Sequence, residues 1–285
     1  MTTNLILQSR EPLLTKDFEL IQRITTLTQA AQLAPIHSHA VRLENVTINA
    51  EQKALIEAET FAAQIDATFI EAGRSLNDFK LVAMDMDSTL ITIECIDEIA
   101  DMQGLKPQVA EITEAAMRGE IEFQESLTRR VALLKGLDAG ALQRVYDERL
   151  QLSLGAEAML QGVQKLGIKT LLVSGGFTFF TDRMKQRLGL DYSHSNVLEI
   201  ENGKLTGKVI GGIVDAEEKK RTVERVCAEL GISTSQTIVM GDGANDLRMM
   251  SISGLSVAFR AKPVVRAQAN VAFNFVGLDG VLNLF

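Results

Sequence analysis

Tryptophan is absent from the 285 residues, and tyrosine (2), cysteine (2) and proline (4) are scarce. Two cysteines, Cys95 and Cys227, cannot build a disulfide framework, and neither stands in the paired Cys-x-x-Cys spacing of structural zinc. Both read as small core residues. So little proline, beside 46% hydrophobic and 23% charged residues, excludes a disordered chain. No apolar run reaches the ~18 residues of a membrane span, and residues 1–11 lack the basic patch, apolar run and cleavage site of a secretory leader. The expectation is a cytoplasmic protein without a membrane. Positive charge is also short, since 29 Lys and Arg against 37 Asp and Glu leave a formal net charge of −8. That argues against a general nucleic-acid surface, and an anionic ligand would need its own local positive charge.

At ~150 residues per domain the length suggests about two domains. Residues 3–8 read as a short strand, and Ile21, Ile24 and Leu27 recur at helical spacing. Residues 38–48 alternate, with His39, Val41 and Leu43 on one face; a helix over 51–63 and a strand over 65–70 follow. These make a small α/β unit over roughly residues 1–72, with no catalytic cluster. His37 and His39, two apart on a strand, would share a face and invite a metal, but no third ligand lies nearby, which favours two ordinary strand residues. The polar stretch 73–78 reads as a linker.

From residue 80 the pattern changes. Apolar runs at 81–84, 168–173 and 237–240 lead into Asp85, Ser174-Gly175-Gly176 and Gly241-Asp242-Gly243. Strands apolar on both faces, separated by helices, indicate a parallel sheet covered on each side, with ligands at its carboxyl ends. An insertion from about 91 to 155, with helical stretches at 96–103, 108–118 and 122–134, is too long for a crossover and reads as a helical cap over those ends. Segments 197–201 and 204–210 flank Asn202-Gly203, a type I′ hairpin signal.

Asp85 and Asp87 alone carry little weight, because turns after strands are rich in Asp. Gly241-Asp242-Gly243-Ala244-Asn245-Asp246 adds two more carboxylates to the same sheet edge. Such a cluster repels itself unless a hard cation with oxygen ligands, Mg²⁺ foremost, neutralises it. Ser174-Gly175-Gly176 offers a hydroxyl and backbone N–H groups at the start of a helix, where phosphate oxygens are well received. Lys219 offers a point charge, with Lys220 as its rival; a lysine in so charged a helix is ordinarily a solvated surface residue.

In this order, Asp85-Met86-Asp87-Ser88-Thr89-Leu90, Ser174-Gly175-Gly176-Phe177, Lys219 and Gly241 to Asp246 resemble the four motifs of the haloacid dehalogenase superfamily of phosphotransferases. The likeness covers about residues 80 to 285. Glu94-Cys95-Ile96-Asp97-Glu98-Ile99-Ala100 and Phe123-Gln124-Glu125-Ser126-Leu127-Thr128-Arg129-Arg130-Val131 extend it toward members that act on a phosphorylated amino acid. The fold implied is α/β: a Rossmann-like core with a parallel sheet and an inserted helical cap over residues 76–285, preceded by a small α/β, ACT-like unit over 1–75, regulatory or dimerising, so that a homodimer is within the expectation.

The activity implied by the resemblance is Mg²⁺-dependent hydrolysis of O-phospho-L-serine, a small phosphomonoester, in the last step of serine biosynthesis. Asp85 would be the nucleophile that forms an aspartyl-phosphate, and Asp87 the general acid and base. The family pattern puts Mg²⁺ on Asp85, Asp242 and the backbone carbonyl of Asp87, with Asp246 in support. Ser174, Gly175, Lys219 and Asn245 would hold the phosphate or its neighbours, the alignment favouring Lys219 over Lys220. Glu94 matches the residue for the substrate ammonium and Arg130, beside the easily confused Arg129, that for its carboxylate. Met117 and Phe123 match apolar shields. Met86, where many members carry phenylalanine, and the uncharged Thr92-Ile93 depart from the pattern and touch no expected ligand. Two other readings stay open: transfer of the phosphoryl group to another hydroxyl, and a phospho-accepting signalling module, which leaves the cap unexplained.

Overall fold

Two apolar patterns of different kind build two sheets in this computed structural model, which describes residues 2–117 and 120–285. In the first, β1 (Thr3–Ser9), β2 (Gln32–His37), β3 (Ala40–Val46) and β4 (Ile65–Glu71) pair antiparallel in the order β2-β3-β1-β4. Helices Phe18–Leu27 and Ala50–Ala62 connect them in the split βαβ manner. Asn49 starts the second helix with a capping box to Gln52. Alternation along β1 then serves two cores: Leu5 and Leu7 join Ile21, Ile24, Val41, Leu43 and Ile56, while Ile6, on the other face, joins the core of the larger sheet.

The expected strand over 38–48 is β3, shortened at both ends, and it forms the second arm of a hairpin whose first arm, β2, was not expected. β2 ends at His37, residues 38–39 turn, and β3 begins at Ala40. Pro35 and the exposure of β2 fit an edge strand, which carries no buried alternation to read. The His37 and His39 rings lie 6.2 Å apart, but not on one strand. His39 donates its backbone N–H to His37 Nδ1 (3.2 Å), and His37 Nε2 meets Asn283 Oδ1 (3.2 Å).

The second sheet comprises β5 (Leu81–Met84), β6 (Lys169–Phe177), β7 (Tyr192–Glu201), β8 (Lys204–Ile210), β9 (Thr237–Gly241), β10 (Leu255–Phe259) and β11 (Val271–Phe273). Its order is β11-β10-β9-β5-β6-β7-β8, parallel except for the β7–β8 hairpin, where Asn202 (φ 49°) and Gly203 (φ 76°) supply the two positive φ values of its turn. All of β5 is buried: Val82 and Met84 belong to one apolar cluster and Leu81 and Ala83 to the other. Cys95 and Cys227 are free and buried, one in each cluster.

Between β5 and β6 stand the helices Cys95–Asp101, Lys106–Met117, Phe123–Leu133 and Gly140–Glu148, followed by Ala156–Lys165. The fourth was not expected, since only Ala141, Leu142 and Val145 mark its buried face. Arg149 fastens this region to the first helix through Glu98 (2.5 Å) and Asp101 (2.6 Å). Ser174-Gly175-Gly176 completes β6, and the helix begins only at Thr178.

Asp66, 1% exposed on β4, ties the two sheets together. Its carboxylate accepts from the backbone N–H groups of Asn274, Phe275 and Val276 and from the Asn274 amide, at 2.8–3.1 Å. Burial raises its pKa while those N–H groups pull it down. Asn283, in the terminal 3₁₀ turn, donates to Gln8 Oε1 (2.8 Å). Among the described residues no helix is long and apolar enough to cross a membrane.

Candidate active site

Three strand ends and one helix meet at the carboxyl edge of the second sheet. Asp85 follows β5; burial, seconded by the Asp246 charge, raises its pKa well above the ordinary carboxylate range, and Lys219 pulls against them. Its Oδ1 accepts the Met86 N–H (2.7 Å) and its Oδ2 meets Lys219 Nζ (2.8 Å). Lys219 projects from the sheet-facing side of helix Ala216–Leu230, whose first turn Asp215 caps by accepting from the Glu218 N–H. The lysine is 1% exposed, and a second ion pair, to Asp246 Oδ1 (2.8 Å), lets Asp246 and Asp85 outweigh the effect of burial and raise its pKa. Lys220, the rival, turns away toward Glu224.

The turn after β5 passes through Ser88 at φ 55°, in the left-handed region that non-glycine residues rarely enter. That turn sets Asp87 where its Oδ1 accepts the Cys95 N–H (2.9 Å) and its Oδ2 faces Ser174 Oγ (3.4 Å). Burial raises the Asp87 pKa, countered mainly by the Cys95 N–H. A Cβ on Gly176 would lie 2.7 Å from Asp87 Oδ2, and one on Gly175 3.1 Å from Phe123 Cζ, so the close approach of β6 depends on two residues without side chains. Asn196 holds this strand end by donating to the Gly175 carbonyl (2.7 Å).

From the turn after β9, Asp242 accepts from Thr89 Oγ1 (3.1 Å); burial and Asp246 push its carboxyl up to about 6. Carboxylate oxygens of Asp85, Asp242 and Asp246 all lie within 4.8 Å of one another. Hard oxygen donors this close, with the Asp85 and Asp242 pKa values raised by burial and by the neighbouring carboxylate charge, fit a divalent cation. Asp246 already spends one oxygen on Lys219 and the other on the Gly243 N–H (3.1 Å).

Above this floor lies a cavity of ≈ 750 Å³, roofed by the cap. Glu94, Phe123, Arg130, Gly175 and Asn245 line it together with Asp85, Asp87 and Asp242. Glu94 is solvent-exposed at the rim, but its carboxyl sits in a recess where the surrounding protein and the Asp87 charge push it up to about 7. Ser88 Oγ donates to it (2.6 Å). Arg130 reaches inward, whereas Arg129 pairs with Glu125 (2.5 Å) on the exposed side of the same helix. Met117 closes its helix, and its side chain lies outside the described residues.

Among the residues with a place at the site that received no role from sequence are Thr89, Asp97, Ser126 and Lys262. Thr89 and Asp97 stand inside the quoted motifs, and the i, i+3 step from Glu94 to Asp97 is a signal that could have found the latter. Ser126 also stands inside a quoted motif, but nothing there singles it out, and nothing in the sequence marks Lys262.

A family model described as haloacid dehalogenase-like hydrolase matches residues 79–254. The chain is 58% identical over 214 residues to a phosphoserine phosphatase of Polaromonas sp. (strain JS666), covering 73% of this chain and 91% of the relative. Among solved structures it resembles a HAD family hydrolase from Salmonella enterica serovar Typhi, with a TM-score of 0.87 and 33% identity over 99% of this chain and 98% of that one. A probable phosphoserine phosphatase from Vibrio cholerae, in unliganded form, matches with a TM-score of 0.83 and 36% identity over 99% and 86%. Both structural matches take in the first sheet as well as the second.

Proposed function

Since the chain belongs to the haloacid dehalogenase-like hydrolases and, within them, to the phosphoserine phosphatases, we propose that it hydrolyses O-phospho-L-serine to L-serine and phosphate by two in-line displacements at phosphorus. Asp85 attacks phosphorus while the bond to the serine oxygen breaks, giving an aspartyl-phosphate. Asp87 gives its proton to the departing oxygen; the raised pKa of this buried carboxyl supports the acid role. As the conjugate base it then takes a proton from the water that attacks phosphorus, which releases phosphate and regenerates Asp85.

Mg²⁺ is the cation this reading assigns to Asp85, Asp242 and the Asp87 carbonyl, and when bound it neutralises charge on the transferring phosphoryl group. Asp246, with both oxygens already engaged, suits a supporting place behind those ligands. Ser174, the Gly175 N–H, Lys219 and Asn245 orient the phosphate. Glu94 receives the ammonium, Arg130 the carboxylate, and Phe123 with Met117 keeps water from the reacting atoms. Residues 1–75 are read as a regulatory or dimerising unit set before a catalytic unit at 76–285, its cap at about 91–155; their separate apolar cluster supports that division. The role assigned is the last step of serine biosynthesis, in the cytoplasm.

One observation carries the reading: Asp85, paired from behind with the buried Lys219 that also holds Asp246, lines with Asp87 and Asp242 the same cavity as an arginine and a glutamate, Arg130 and Glu94. A signalling module has no use for that roof. Phosphate release from phosphoserine with Mg²⁺ should cease on adding EDTA and fall by at least about 10³-fold in Asp85→Asn. Full turnover by Asp85→Asn would remove Asp85 as nucleophile.

A further inference from the structure

Phe123, Ser126, Leu127 and Arg130 recur at i, i+3, i+4 and i+7 along helix Phe123–Leu133, and all four line the cavity. Phe123 and Leu127 give this face its apolar character and Arg130 its charge. Ser126 fits neither purpose. It is 1% exposed, and among the described residues its Oγ has no hydrogen-bond partner. Helical hydroxyls ordinarily return to the carbonyl four residues back, as Thr128 on this same helix does to Gln124 (2.7 Å). A buried hydroxyl with neither protein nor solvent to bond destabilises a fold, so its presence calls for a partner that arrives from elsewhere.

The surroundings identify that partner. Arg130 folds back over the same residue, its Nε donating to the Ser126 carbonyl through a long 3.4 Å bond. Glu94 and Asp97 line the same cavity as negative charges that act on Arg130. A carboxylate is thus drawn to the Arg130 side of the cavity. Once the guanidinium swings from the Ser126 carbonyl to that carboxylate, the hydroxyl beneath it comes within reach of the same group.

We propose that Ser126 is a specificity-determining residue whose hydroxyl donates to the substrate carboxylate bound by Arg130. The inference rests on the reading of the cavity as a phosphoserine site. One helix face then reads the carboxylate twice, by a charge and by a neutral donor, and the neutral donor has no work to do on a substrate without that group.

Phosphoserine and phosphoethanolamine, which keeps the phosphate and ammonium but lacks the carboxylate, separate the alternatives in the full-length protein. Ser126→Ala should lower kcat/KM for phosphoserine about tenfold, chiefly through KM, and leave that for phosphoethanolamine within about twofold. Ser126→Thr, which keeps the hydroxyl, should restore part of the preference. The melting temperature of Ser126→Ala without substrate should be no lower than the parent's, because the lost hydroxyl had no partner. Equal losses on both substrates, or none on either, would overturn the assignment, as would a melting temperature several degrees lower. If the parent itself showed no preference for phosphoserine over phosphoethanolamine, the phosphoserine reading would fall first and Ser126 with it; a preferring parent whose preference survives in Ser126→Ala removes Ser126 alone.

Discussion

The floor and the roof of the cleft are built on opposite terms. On the floor each carboxylate is already held: Asp85 and Asp246 by Lys219, Asp87 by the Cys95 N–H, Asp242 by Thr89. On the roof, among the described residues, the hydrogen bond Arg130 makes is a long one to its own helix and Ser126 Oγ makes none. Groups that must stand in fixed relation while bonds change gain from being fixed beforehand, whereas groups that recognise a visitor gain from leaving their bonding capacity unspent. The floor should therefore govern turnover and folding together, and the roof should govern choice of substrate with little effect on folding.

The most severe break of this contrast is Lys219→Met. It strands Asp85 and Asp246 in a buried site without a counter-charge, so urea unfolding should show a loss of about 3–5 kcal/mol in the metal-free protein, and activity should disappear. A loss under about 1 kcal/mol would mean the two carboxylates are not ionised together. On the roof, Arg130→Ala should lower kcat/KM for phosphoserine by about 10–10²-fold, with a smaller effect on phosphoethanolamine and little change in unfolding midpoint. Comparable losses on both substrates would erase the distinction between floor and roof.

The smallest effect is one of pH. Asp242, raised to about 6 by burial and Asp246, holds its proton more tightly folded than unfolded. Its contribution to stability is complete below the unfolded value of about 4 and is lost as pH rises through 6. Asp85, raised by burial, acts in the same direction. The floor should thus cost the metal-free protein melting temperature as pH rises toward 7, and Mg²⁺, which needs the ionised carboxylates, should restore more at pH 7.5 than at pH 5. An equal rise at both pH values would place the cation away from these strand ends.

The same contrast decides what could be read in advance. The floor announces itself because a parallel sheet demands apolar strands and the chemistry demands Asp and Gly at their ends, so 81–84 and 237–240 stand out with their ligating turns attached. Ser126 stays silent, since a serine acquires meaning only when burial removes its partners. β2 went unread because an exposed edge strand with Pro35 keeps no alternation, and helix Gly140–Glu148 because three small or medium apolar residues make a thin stripe. The placement of Asp66 could not be read at all: its four donors lie more than 200 positions away.

That clasp also bears on the order in which the molecule can be assembled. The residues that bond Asp66 and Gln8, from Asn274 to Asn283, are synthesised more than 200 positions after the sheet they secure. On the ribosome the first sheet can gather its own apolar cluster, but Ile6 and the Asp66 carboxylate must wait, solvated, until the second sheet and residues 274–276 have emerged. The union of the two sheets thus follows, by construction, the synthesis of both.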